Sequence, residues 1–256
     1  MQKQRMWGTC LIMLGLLATG TVLRAQSETE NTSPVYVCVF EWDVPRAQWA
    51  DMSKRAEQTM AIDAKLLSEG TITAYGEMVS LIHTEGQPTH AEFFWTPTEG
   101  NVLKVLTGLM TRPDRTSPVV AASKHWDHIL VSRIHNYRAG KFDGAYLIGS
   151  TWKVKPGQMK AFQALIKASI VPMLEKELAG GNVIFYSVDT EDYHTDVPGL
   201  VDVVFAVPDA AASDKVSNAL EAALSQDKKF EPALAALTES DSHRDFLDRI
   251  IHMVIK

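Results

Sequence analysis

Apolar residues along this chain fall into short runs whose period changes in a fixed order. Val35 to Trp42 reads V-Y-V-C-V-F-E-W, rich in β-branched and aromatic residues, and predicts a strand. From Pro45 to Leu67 the apolar positions Trp49, Met52, Ala56, Met60 and Leu67 fall close to helical spacing, with Pro45 suited to a first helical turn. Glu69-Gly70 ends that helix. Thr71 to His83 and Thr89 to Trp95 predict two more strands around a turn at Thr84 to Pro88. A helix is predicted from Thr98 to Met110, then a loop from Arg112 to Ser123 with two prolines, then a strand from Asp127 to Tyr137.

The same order returns after a linker at Arg138 to Gly144. It predicts a strand at Ala145 to Trp152, a helix at Pro156 to Leu178, strands at Asn182 to Thr190 and Leu200 to Ala206, a helix at Asp209 to Leu224 and a last strand near Ile250 to Ile255. An insertion around Ser225 to Ser240 has room for a short extra helix. Residues also recur. With residue n paired to n+111 between Pro45 and Met110, 13 of 66 positions are identical, among them Gly70/Gly181, Tyr75/Tyr186, His83/His194 and Phe94/Phe205. Chance would give roughly 4. One offset held over that length predicts an internal duplication, residues 35–137 and 145–256.

Each copy reads β-α-β-β-α-β, the ferredoxin-like order. The expected fold is α+β. A four-stranded antiparallel sheet with helices on one face leaves its other face apolar, and the second sheet is the natural cover. Two sheets packed face to face with helices outside, in a monomer with an internal pseudo-twofold axis, is the predicted architecture.

Residues 1–25 read as a signal peptide, with Lys3 and Arg5 before a short apolar stretch, Leu11 to Leu17, and cleavage after Ala25 or Gly20. The stretch is too short for a stable membrane span. Residues 26–34 are polar and read as a flexible lead-in. Removing Lys3, Arg5 and Arg24 takes the net charge from −6 to −9 and disfavours nucleic acid and anionic membrane as partners. Only Cys38 remains, so no internal disulfide forms. An exported protein, periplasmic or extracellular, is expected.

Candidate chemistry is sparse. His83-Thr84-Glu85 and His194-Thr195-Asp196 repeat an imidazole, hydroxyl and carboxylate at corresponding places, either a retained turn signature or a proton-transfer site. Tyr75 and Tyr186 stand eight residues earlier and share the strand face of those histidines if no bulge intervenes. Tyr36, Trp42, Tyr146 and Trp152 occupy one face of the first strands, and with His90 they are candidate ligand-binding residues between the two sheets. His125-x-Asp127 and His243-x-Asp245 predict caps before the last strands. The first copy keeps His83, Glu85, His90, Glu92, His128, Arg133 and His135, whereas His90 and Glu92 correspond to Val201 and Val203 and His128 to Phe246, so a surviving site is expected mainly in copy one. There is no phosphate-binding glycine loop, no G-x-S-x-G, no H-E-x-x-H and no cysteine pair. No metal site and no cofactor are expected.

Lys155-Pro156-Gly157, directly after a strand ending in Trp152 and followed by Phe162, resembles the first strand–helix junction of the dimeric α/β-barrel superfamily. The resemblance implies a barrel with ligands between sheet and helices or at its mouths. Activities in that superfamily include cofactor-independent monooxygenases and, in fused relatives, haem enzymes. Gly140 to Gly144 also matches the G-x-x-D-G signature of dye-decolourising haem peroxidases, which implies Asp143 as a distal acid and leaves His243 and His252 as conceivable proximal ligands. The readings are then a small-molecule binder for an apolar or aromatic ligand, a cofactor-independent monooxygenase or isomerase using His83 or His194 with Tyr75 or Tyr186, and a haem peroxidase-like protein.

Export predicts a mature chain beginning at Gln26 or Thr21. Mass spectrometry of secreted material checks this, and a Met1 start in the membrane fraction contradicts it.

Overall fold

A computed structural model describes residues 33–111, 117–193 and 198–256. The first half is built from β1 (Val35–Asp43), α1 (Trp49–Ser68), β2 (Ala74–Ser80), β3 (His90–Thr96), α2 (Glu99–Leu109), the short α3 (Pro118–Ala122) and the long β4 (Lys124–Tyr137). The second half follows the two-residue strand β5 (Gly140–Lys141). It contains β6 (Tyr146–Lys153), α4 (Met159–Ser169), α5 (Val171–Ala179), β7 (Phe185–Glu191), β8 (Leu200–Val207), α6 (Ala210–Gln226), α7 (Phe230–Leu237) and β9 (Arg244–Ile255).

The strands are neighbours in the order β2-β3-β1-β4-β7-β8-β6-β9, and β9 returns to β2. Eight antiparallel strands therefore close into a barrel, with the helices outside. The expected face-to-face pair of sheets is corrected in one respect: β4 pairs with β7 and β2 with β9, so the sheets also join edge to edge and no long edge is left open. Each seam carries one irregularity, between Ser132 and Ile134 in one and between Glu77 and Met78 in the other. An extra residue at such a place increases local twist and bends the strand, as closure requires.

Closure buries both faces of most strands. On one side, Val35, Val37, Ala91, Phe93, Trp95, Leu130, Leu147, Phe185, Val204 and Met253 form the core inside the barrel. On the other, Tyr75, Phe94, Val102 and Val105 pack the first half's sheet against its helices. Phe162, Ile166, Leu174, Val201, Val203 and Val216 do so in the second half. Phe162 is fully buried, so truncation to Ala should cost about 3–5 kcal/mol.

Several boundaries differ from the sequence reading for local reasons. The helix expected over Pro156 to Leu178 is two, α4 and α5, interrupted at Ile170. Pro172 supplies no N–H and its ring crowds the preceding turn, which breaks the ladder there. Pro45 precedes a 3₁₀ turn, Arg46–Gln48, rather than starting the helix. The expected loop before β4 contains α3, whose Ser117 side chain caps Val120 N–H. Part of that loop, 112–116, lies outside the described residues. The linker contains β5, which pairs with β9. The extra helix of the insertion is α7.

Gly76 shows how tightly the wall is packed. A Cβ there would lie 2.7 Å from the backbone oxygen of His252 and 2.7 Å from the Phe93 ring. A backbone oxygen cannot swing aside, so Gly76→Ala should lower unfolding free energy by about 1–3 kcal/mol in a urea titration. An unchanged midpoint contradicts this packing.

Candidate functional site

Strand parity decides which side chains reach the barrel interior. In β1 the odd positions Val35, Val37, Val39 and Glu41 face inward, and Tyr36, Phe40 and Trp42 pack on the helix side. In β6, Leu147, Thr151 and Lys153 face inward, whereas Tyr146 and Trp152 pack against the second half's helices. The expectation that Tyr36, Trp42, Tyr146 and Trp152 line the interior is thus corrected. They do share a face, but it is the outer one. Trp42 stacks on His125 at 4.8 Å and Trp152 on His243 at 4.8 Å.

The other candidates divide among several places. His83 is exposed beyond the end of β2, its ring 5.2 Å from Trp49. His90 is buried 5.1 Å from the same indole, on the helix side, and burial first, with His83 next, pulls its pKa down to about 4. Tyr75 is not with them; its ring lies 5.6 Å from His252. Tyr186 is buried in the second half, its hydroxyl donating to Glu175. His194 and its triplet lie outside the described residues. Trp49 therefore brings His83 and His90 together, and Tyr75 and Tyr186 belong to separate packing layers. His125 and His243 do not cap helices. Their Nε2 atoms lie 2.8 Å from Asp127 and 3.0 Å from Asp245, within or just before β4 and β9.

The residues carried over for haem do not fit that group. Asp143 accepts from His252 Nδ1 at 2.7 Å and pairs with Lys141 at 3.1 Å, so the carried-over distal acid is bonded directly to one proposed proximal ligand and the two cannot stand on opposite faces of one haem. His243 is occupied by Asp245 and Trp152. The sheet–helix layer of the second half is filled by Phe162, Leu174, Val201 and their neighbours.

The interior holds a cavity of about 960 Å³. Its floor is aromatic: Trp95 meets Phe185 edge to face at 5.0 Å and lies 6.4 Å from Phe93. Below the floor, Ala74, Ala145, Ile184, Ile250 and Ile255 fill the barrel. Around the upper wall stand Glu41, His128, Asp189, Glu191, Asp202 and Asp248. Asp189 and Asp202 are directly opposite each other on β7 and β8. Asp202 accepts from Thr151 at 2.5 Å and Asp189 Oδ2 from Ser187 at 2.7 Å. Asp189 Oδ1 makes no hydrogen bond, although the residue is only 5% exposed. The neighbouring Ser132 hydroxyl is directed to the carbonyl oxygens of Ile134 and Val188.

Crowding acids in a dry wall raises their proton affinity. Burial pushes Asp189 up to about 7, Ser187 and the nearby Ser132 offsetting part of this and Asp202 adding to it. Burial likewise takes Asp202 and Asp248 to about 6. His128 moves upward because Glu41, 3.3 Å away, hydrogen-bonds it, against the opposing effect of burial. Of the first-copy candidates, His128 is a member of this wall, and His90 also borders the cavity. The sequence reading missed Glu41, Asp189, Asp202 and Asp248. A signal was present in β7, where Ser187, Asp189 and Glu191 alternate on one face of a strand that also carries Phe185, Tyr186 and Val188.

The chain has the fold of the dimeric α/β-barrel proteins. It is similar to a putative monooxygenase from Lactobacillus acidophilus, with TM-score 0.63 and 13% identity over 87% of this chain and 96% of that one. An anthrone oxidase-like protein matches with TM-score 0.50 and 11% identity over 90% and 94%. The chlorite dismutase from Candidatus Nitrospira defluvii, in complex with imidazole, matches with TM-score 0.50 and 11% identity over 84% and 90%. At these identities the likeness is one of fold. No protein-family model and no curated protein sequence matches.

The raised carboxylates have a consequence for stability. Between the unfolded aspartate value, about 4, and the folded value of about 7, the native state holds a proton that the unfolded chain releases. Stability should therefore fall as pH rises from about 4 to 7, and the penalty is complete above that window. Asp189→Asn should raise the melting temperature at pH 8 and change it little at pH 4. A loss at pH 8 contradicts the assignment.

Proposed function

We propose that the protein binds a small apolar or aromatic molecule inside the barrel, and that it does so as an exported protein, periplasmic or extracellular. The carrying observation is the cavity, with an aromatic floor beneath a polar upper wall. Its volume of about 960 Å³ lies within the usual range for small-ligand sites. We read the two halves as ferredoxin-like repeats of a duplicated ancestor, folded as a monomer with internal pseudo-twofold symmetry. Their shared strand order and the recurring residues support that reading.

A second reading is a cofactor-independent monooxygenase or isomerase. The observation in its favour is that Asp189 and Asp202 face each other across β7 and β8 in the cavity lining, where burial raises both toward the range in which a carboxylate is a useful general base. In this reading the interior acids take the proton-transfer role first considered for His83, His194, Tyr75 and Tyr186. Oxygen uptake on adding electron-rich phenols distinguishes an oxygenase from a binder, which gives none.

Neutral 2-naphthylmethanol should quench the tryptophan fluorescence of the purified protein saturably. Val204→Phe, which fills the cavity from β8, should weaken binding at least tenfold. Equal binding by both proteins contradicts the interior site.

A further inference from the structure

We infer that the interior site selects an organic cation, a molecule whose flat apolar body sits on the aromatic floor and whose ammonium or amidinium group meets Asp189 and Asp202. The inference rests on the binding reading above and adds the charge of the ligand.

Three observations support it. The first is the free acceptor. Asp189 lines the cavity, and its Oδ1 is buried, in a residue only 5% exposed, without a hydrogen-bond partner, the nearby Ser132 hydroxyl being directed to the carbonyl oxygens of Ile134 and Val188. Leaving a buried carboxylate oxygen unpaired is costly, and a donor on a ligand would remove that cost. The second is the balance of charge. Glu41, Asp189, Asp202 and Asp248 all line the cavity. The basic groups near them have other partners. Lys153 lies 2.9 Å from Glu239, Arg244 donates to the carbonyl oxygens of Asp241 and His243, and His128 is paired with Glu41. A ligand anion would meet this field unfavourably, and a cation would be held in a low-dielectric wall where charge pairing is strong.

The third observation is the shape of the site. Phe93, Trp95 and Phe185 form the floor, beyond which the barrel is filled by apolar side chains. A hydrated inorganic ion would find no polar partner there. Among the described residues, no three acids, imidazoles or thiols converge closely enough to hold a metal ion. Apolar body and positive tip therefore belong to one molecule. The raised pKa values of the acids agree with this arrangement, since a bound cation would return them toward the ionised form.

The test compares three probes with the same ring: 2-naphthylmethylamine, 2-naphthylmethanol and 2-naphthoate, titrated calorimetrically at pH 7.5. The amine should bind at least tenfold more tightly than the alcohol, and the carboxylate most weakly. Asp189→Asn and Asp202→Asn should each reduce the amine-to-alcohol affinity ratio severalfold. Asp143→Asn, on the outside of the barrel, should leave the ratio unchanged. Near-UV circular dichroism verifies the fold of each variant. Should a variant unfold, the ratio measured on the wild-type protein in 50 mM and 500 mM NaCl still decides, since charge pairing should narrow it at high salt. Equal binding of amine and alcohol overturns the cation inference and leaves the binding site standing. Failure of all three probes overturns both.

Discussion

Closure of the barrel is the constraint on which the rest of this structure depends. An open four-stranded sheet leaves unpaired backbone groups along two edges and one apolar face without cover. Pairing β4 with β7 and β2 with β9 satisfies the edges, and the same two seams turn the uncovered faces toward each other. The interior then exists because the wall is curved. Apolar side chains fill one end, and the space left at the other is the cavity.

The cavity's chemistry follows from which strand positions the seams turn inward. Once β7 is registered against β4 and β8, Ser187, Asp189 and Glu191 must project into the barrel. The Asp189 carboxylate sits in a wall too dry to ionise it freely, and its Oδ1 remains without a partner. Interior acids of this kind destabilise the empty protein, a cost that function commonly imposes at binding sites.

The element order was largely legible from periodicity, because strand and helix periods differ sharply and proline and glycine mark the turns. Face assignment was not. In β1, Val35 to Trp42 is apolar on both sides, since one side meets the interior and the other the helices. Alternation carries no sign in such a strand, and the aromatic positions Tyr36 and Trp42 looked like the better lining when they are the helix-facing layer. His90 and Glu92 fell on that same layer, where Glu92 is held by Arg55 and Thr59. The informative residues were the rare acids in apolar strands, Glu41, Asp189 and Asp202. A carboxylate in a strand buried on both faces has few bland explanations. The break at Pro172 was missed, although proline alone explains it. The seams, in contrast, depend on pairings between residues far apart in the chain, such as Tyr75 with Val254, which local pattern cannot specify.

The central claim, that the ligand site is the barrel interior and not the sheet–helix layer, is tested most directly by a crystal structure with 2-naphthylmethylamine bound. The naphthalene ring should lie over Phe93, Trp95 and Phe185, with its nitrogen in hydrogen-bond contact with Asp189. A ring lodged outside the sheet, beside Trp49, His83 and His90, would contradict it.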